Sequence, residues 1–277
     1  MLYFINQLQS LTRDFIKPAK PEQILDGGKM FRPFMSYQKA WLNSVHPGAT
    51  LCTKTSTWFY LQQYIMPLIR QHASSYHVEG IKSLKLDGTV QPDFKEFQDL
   101  FYHVSHGFQI QPVCKEIAPE EYFTLISQKK FPCVPLIRPH NELFCANEPD
   151  FWHEAIGHIA PLCFPEVQEF YLGIAHHILT AKTKLQRRQH LAVAWTLMEY
   201  GFIQENEQHK MFGAALVGSH LANMRYINGL IAVEPAERHA ILDSGFYDED
   251  APLAKNHRGA LRFFCLNNLH INSLLFP

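Results

Sequence analysis

The stretch Pro149-Asp150-Phe151-Trp152-His153-Glu154-Ala155-Ile156-Gly157-His158 decides how this chain is read. It has one residue more than the HExxH pattern, in which two histidines four apart share a helix face and bind zinc. Five residues turn a regular helix by about 500°, which leaves the two imidazoles roughly 140° apart. Both reach one metal only if the helix loosens or ends between them, and Gly157 is where such an adjustment comes most easily. The spacing therefore argues against a zinc protease and against Glu154 as the general base of one.

A histidine pair needs a third ligand. The segment Leu191-Ala-Val-Ala-Trp195-Thr-Leu-Met-Glu199-Tyr-Gly201-Phe-Ile reads as a buried helix carrying one acid. A carboxylate among such apolar neighbours is costly unless it is paired or metal-bound. Two histidines and one carboxylate with open positions form the facial triad of non-haem iron(II) oxygenases. So His153, His158 and Glu199 are the candidate ligands. The other reading of the same residues is a pair of hydrogen-bonded core histidines with Glu199 bound to one of them.

Outward from these segments the chain reads as mainly α-helical with a few short strands. Helical patterns cover 1–16, 55–77 with an interruption at Pro67, 93–107, 166–180 and 190–204. Residues 17–34 carry three prolines and a Gly27-Gly28 pair and read as an irregular arm. Asp150 is a candidate N-cap for the helix bearing the histidines. The stretch 108–145 is broken by prolines and offers two short strands, near Phe108–Val113 and Phe131–Ile137. There is no internal repeat or linker, so a single domain over 1–277 is expected. The 25 basic and 26 acidic side chains leave a net charge of -1, which gives no electrostatic reason to expect nucleic acid or an anionic membrane. Six cysteines without a CxxC pair suggest reduced thiols in a cytoplasmic protein. No apolar run approaches the roughly 20 residues needed to cross a bilayer.

Further blocks join the histidine motif in order: Phe59-Tyr-Leu-Gln-Gln-Tyr-Ile-Met-Pro67, Gly107-Phe-Gln-Ile-Gln-Pro112-Val113, Phe131-Pro-Cys133-Val-Pro-Leu-Ile137-Arg138, Glu148-Pro149-Asp150, Trp195, Glu199-Tyr-Gly201 and Phe212-Gly213-Ala214. With them the chain resembles the catalytic domain of the pterin-dependent aromatic amino acid hydroxylases, in the short bacterial form that acts on phenylalanine. Residues 1–50 and about 250–277 match poorly. The resemblance implies that family's single-domain catalytic fold, with iron(II) held by His153, His158 and Glu199 and a tetrahydropterin as second cofactor. It implies Arg138 as the clamp for the substrate carboxylate, Asp150 as its buttress, and Pro149, Trp195 and Ser219 around the substrate. It implies Tyr122, Ile117 and Glu154 beside the pterin, with Glu154 and Trp195 nearest the chemistry. The expected partners are a small aromatic substrate and O2, and the expected assembly is a monomer or small homo-oligomer.

The chain departs from the family pattern around this centre. A serine that supports the first iron histidine is replaced by Gly218, with Ser219 adjacent. A pocket threonine is replaced by Ala146, a pocket tyrosine by Cys145, and the tyrosine beside pterin and iron by Ala194. The pterin loop falls near Lys115 and Pro119. The leading expectation is iron- and pterin-dependent hydroxylation of an aromatic amino acid, with phenylalanine first. The alternatives are an iron oxygenase of the same fold with another substrate, such as tryptophan or a non-amino-acid aromatic, or with another reductant; a zinc hydrolase; and a non-catalytic binding protein.

Overall fold

The computed structural model describes residues 55–114, 117–139, 143, 149–244, 262–270 and 274. The helix expected over 1–16 and the arm over 17–34 lie outside the described residues, as do Lys115, Cys145 and Ala146. The described residues belong to one compact unit, Thr50–Pro277.

The chain begins with three short helices, α1 (Thr55–Tyr64), α2 (Met66–His72) and α3 (Ser75–Ser83). The expected break falls at Pro67, which sits in the first turn of α2. There its missing N–H removes no helical hydrogen bond. A second break at Ala73-Ser74 admits a bridge from Ala73 to Met211. Helix α4 (Phe94–Val104) is capped by Asp93, whose side chain accepts from the N–H groups of Lys95 and Glu96. Its Phe97 and Phe101 are buried, one helical turn apart on one face.

Strand β1 (Gln109–Pro112) pairs in parallel with β2 (Lys130–Cys133), near the two strands expected. Between them lies α5 (Pro119–Ser127), which the proline-broken reading of 108–145 misses. Pro119 starts this helix instead of breaking it, again in the first turn. The histidine segment and a 3-10 turn, Pro161–Cys163, lead into α6 (Pro165–Thr180) and α7 (Lys184–Tyr200). Helix α7 starts earlier than the apolar pattern from 190 suggests. Thr183 caps it by accepting from the Gln186 N–H, so its charged first turns are helix and not loop. It also stops sooner, at Gly201, and the residues expected to complete it form β3 (Phe202–Glu205).

Beyond α7 the periodicity left a gap that the structure fills with β4 (Gln208–Met211), α8 (Ala214–Val217), α9 (His220–Ile227), β5 (Val233–Pro235), α10 (Arg238–Asp243) and β6 (Phe263–Leu266). The sheet order is β4-β3-β6-β5, with β3–β4 antiparallel and the β3–β6 and β5–β6 pairs parallel. Each strand is only three or four residues long, too short for alternation to stand out. Among the described residues no helix is long and apolar enough to cross a membrane, and Cys114, Cys133, Cys163 and Cys265 are free thiols.

The core sits directly under the histidine segment. Phe151 and Trp152 are fully buried. Phe151 packs on Trp58, Phe94 and Phe97 with ring centroids 5.9, 5.8 and 5.3 Å away, and Trp152 meets Trp58 at 5.0 Å. Each such aromatic residue contributes about 1.5–3 kcal/mol by burial. The two residues before His153 are therefore anchored on α1 and α4.

Candidate metal centre

The segment His153–Ile159 is a π-helix. Its hydrogen bonds run from residue i+5 to residue i, so each turn holds more residues than in an α-helix and residues five apart come onto one face. The Ala160 N–H accordingly bonds the Ala155 carbonyl at 3.0 Å. The angular conflict created by the five-residue histidine spacing disappears in this geometry. His153 Nε2 and His158 Nε2 lie 3.2 Å apart. Asp150 starts the segment, accepting from the His153 N–H at 3.0 Å while its own carbonyl takes the Glu154 N–H at 2.9 Å.

Glu199 reaches the pair from the last turn of α7. Its Oε1 is 3.1 Å from His158 Nε2 and its Oε2 is 3.5 Å from His153 Nε2. Two close backbone crossings make this approach possible. A Cβ on Gly157 would meet Ala214 Cβ at 2.6 Å, and a Cβ on Gly213 would meet the Glu199 carbonyl carbon at 2.3 Å. Glycine at both positions lets the π-helix, α7 and the start of α8 touch. The Ala215 N–H then donates to the Glu199 carboxylate.

The donor set fits a divalent ion. Ligand atoms about 2.0–2.2 Å from one ion lie about 2.8–3.6 Å from each other at octahedral or tetrahedral angles; the two Nε2 atoms are 3.2 Å apart, with one Glu199 oxygen 3.1 Å from His158 Nε2 and the other 3.5 Å from His153 Nε2. The protonation states fit as well. Burial pushes the His153 imidazole down to about 4 despite the nearby Glu199 carboxylate, so the ring is neutral with a lone pair to give. Burial would raise the Glu199 carboxyl, but His158 and His153 outweigh it and hold the group below its ordinary value. A Glu154 oxygen also lies within 4.8 Å of the histidine donors. Both acids thus lie near enough to the histidine pair to supply a third donor.

Around the centre, His158 Nδ1 is 2.8 Å from the Tyr171 hydroxyl, and the Phe131 ring lies 5.5 Å from the His158 ring. His77, fully buried on α3, bonds the Gly157 carbonyl through Nε2 at 3.0 Å and Ser74 Oγ through Nδ1 at 2.8 Å. Sequence reading missed both residues. Tyr171 sits beside Phe170 on the buried face of α6 with nothing local to separate it from core packing. His77 is one of 16 histidines, and its sole hint is Ser74 three residues before it.

Arg138 and Asp150 form a buried pair. Arg138 Nε and Nη2 donate to the two carboxylate oxygens at 2.8 and 2.7 Å, and the Arg138 backbone N–H donates as well, at 2.8 Å. Burial alone would raise the Asp150 carboxyl, yet Arg138 holds it below its ordinary value. Asp150 thus ties the arginine to the first residue of the metal turn. Tyr122 on α5 packs edge-on against Phe131, and its hydroxyl, pushed well up by burial, feels Tyr171, Glu154 and Glu199. Trp195 lies half-buried on α7 one turn before Glu199, hence on the same helix face. Pro149 and Ile117 are half-buried. Ser219 caps α9, accepting from the Ala222 N–H. Ala194 is buried. A Cβ on Gly218 would lie tightly against the Ala214 carbonyl oxygen, at 3.2 Å, and 3.6 Å from His153 Cα.

Residues 47–239 match the family described as biopterin-dependent aromatic amino acid hydroxylase. A phenylalanine-4-hydroxylase of Vibrio cholerae is 29% identical over 165 residues, which are 59% of this chain and 56% of that protein. The chain thus spans about half the length of this relative. The fold is similar to the apo structure of the cold-active phenylalanine hydroxylase of Colwellia psychrerythraea, at 24% identity and a TM-score of 0.66, covering 78% of this chain and 79% of that one. It is also similar to the Chromobacterium violaceum phenylalanine hydroxylase with bound oxidised Fe(III), at 18% identity and a TM-score of 0.68, covering 83% and 84%. The chain belongs to the biopterin-dependent aromatic amino acid hydroxylase family.

Proposed function

We propose that this chain, as one catalytic domain, is an iron(II)- and tetrahydropterin-dependent monooxygenase that hydroxylates the ring of an aromatic amino acid, phenylalanine before the others. The observation that carries the reading is the donor triangle of His153, His158 and Glu199, tied through Asp150 to a buried arginine. Iron(II) with the pterin supplies the activation of dioxygen. The side chains bind, orient and shield. Arg138, held rigid by Asp150, takes the substrate carboxylate, a task suited to a planar guanidinium. Pro149, Trp195 and Ser219 would bind the substrate. Tyr122, Ile117 and Glu154 would hold the pterin. Both Glu154 and Glu199 lie within a largely buried setting, where fixed charges act more strongly than in water. A family relative with the same fold binds iron, as its description states.

The test is aerobic incubation of the iron-loaded protein with tetrahydropterin and, in turn, phenylalanine, tyrosine and tryptophan, with products read by mass. Hydroxyphenylalanine is the expected product, and His153→Ala loses both iron retention and turnover. Full activity in that variant sinks the proposal. A second reading, the same fold with another aromatic substrate or reductant, is favoured by Ala194, where a methyl group stands in place of the family's tyrosine. Turnover without pterin, or iron loading without phenylalanine hydroxylation, distinguishes it.

A further inference from the structure

The two histidines of the metal turn are held unequally. His158 is 3% exposed and His153 14%. Phe131 covers the His158 ring, and its Nδ1 meets the Tyr171 hydroxyl at 2.8 Å. His153 Nδ1 has no hydrogen bond among the described residues; its backbone N–H goes to Asp150 and its Nε2 faces His158. Gly218, beside it, brings no side chain that could reach that nitrogen.

A neutral imidazole has one lone pair and one N–H. When Nε2 serves a metal, Nδ1 keeps the proton, and a buried N–H needs an acceptor. Tyr171 Oη is in place to accept it. Tyr171 itself is 2% exposed, and among the described residues its hydroxyl bonds nothing else. Phenylalanine would fill the same space on α6, so packing does not account for the hydroxyl.

We propose that Tyr171 is a positioning residue that makes His158 the anchoring ligand: its hydroxyl accepts the Nδ1 hydrogen bond and fixes the ring with the Nε2 lone pair aimed at the metal. This rests on the assignment of His153, His158 and Glu199 as metal ligands. Acting through His158 and not on substrate, Tyr171 governs metal affinity and the geometry of the bound ion.

The experiment is a Co(II) titration of the metal-free protein by calorimetry and visible absorption, for wild type, Tyr171→Phe, His153→Ala and Tyr76→Phe. Tyr76 is a half-buried tyrosine of α3 outside the centre. Wild type and Tyr76→Phe are expected to bind one Co(II) alike, and His153→Ala to lose it. Tyr171→Phe is expected to bind about 10–100-fold more weakly with a shifted visible band, while the metal-free variant keeps the near-UV circular dichroism of wild type. A Co(II) Kd for Tyr171→Phe within about tenfold of wild type overturns the proposal. So does weaker binding that comes with loss of the metal-free near-UV spectrum, since the hydroxyl is then a folding determinant. Wild-type protein that binds no Co(II) sensitive to His153→Ala overturns the ligand assignment itself and this proposal with it.

Discussion

Asp150 shows how much one side chain does here. It caps the metal turn and neutralises Arg138, and both members of the pair are buried, at 2% and 3% exposure. Removing one partner of a buried ion pair leaves an uncompensated charge and costs about 3–5 kcal/mol. Asp150→Asn should lower stability by about that amount at pH 7. The folded Asp150 carboxyl lies below its ordinary value, while the unfolded one titrates near about 3.9. The stability it contributes is therefore complete above about pH 4 and is lost as pH falls through the depressed folded value. Urea unfolding at pH 7 and pH 3 should show the gap between wild type and variant shrinking at the lower pH. An unchanged gap would show that the ionised pair is not its source.

At the scale of elements, the π-helix is the unusual piece, and neighbouring segments stabilise it. Pro161, four residues beyond Gly157, has no N–H to give the Gly157 carbonyl. His77 on α3 gives one instead, at 3.0 Å. A carbonyl can only accept, so His77 Nε2 is the donor; burial pushes that ring down to about 4, so it is neutral and its Nδ1 accepts from Ser74 Oγ. Replacing His77 with phenylalanine strands both a buried carbonyl and a buried hydroxyl. The metal-free protein should lose about 1–3 kcal/mol in denaturant unfolding, and Co(II) binding should weaken. His77→Gln, which keeps an N–H donor, should recover part of both. Equal stability in wild type and His77→Phe would remove His77 as a support of the turn.

At the scale of the whole molecule, the centre joins segments distant in sequence. The π-helix packs on α1 and α4 through Phe151 and Trp152, and on α8 through Gly157 and Ala214. Glu199 arrives from α7. The unfolded chain holds no preformed site, so metal binding is linked to folding of the whole unit. At a Co(II) concentration 100 times Kd, wild type should gain about 2.7 kcal/mol, read as a rise in thermal midpoint. His153→Ala should gain nothing, and an equal rise in that variant would place the stabilising ion elsewhere.

Legibility followed the range of the interactions. Asp150 announces its cap because capping is local. The Phe97 and Phe101 stripe announces α4 for the same reason. Helix α5 was hidden by prolines that begin helices as readily as they end them, and the β4-β3-β6-β5 sheet was hidden because its strands are too short to alternate visibly. Tyr171 and His77 gave no usable signal. Each is defined by a partner on another element, and each sits in a sequence context that would serve equally well for plain packing.

The sequence by itself determined that His153, His158 and Glu199 are candidate donors, the family pattern around them, and the fact that five-residue spacing cannot work on a regular helix. Only the tertiary structure decided how that conflict is resolved. The helix widens into a π turn because Phe151 and Trp152 pin its start, His77 takes a carbonyl beside it, and glycines 157 and 213 let α7 and α8 close on it. Within the widened turn only Gly157 eases the change. The turn depends on packing and hydrogen bonds supplied from other elements, which no local pattern records.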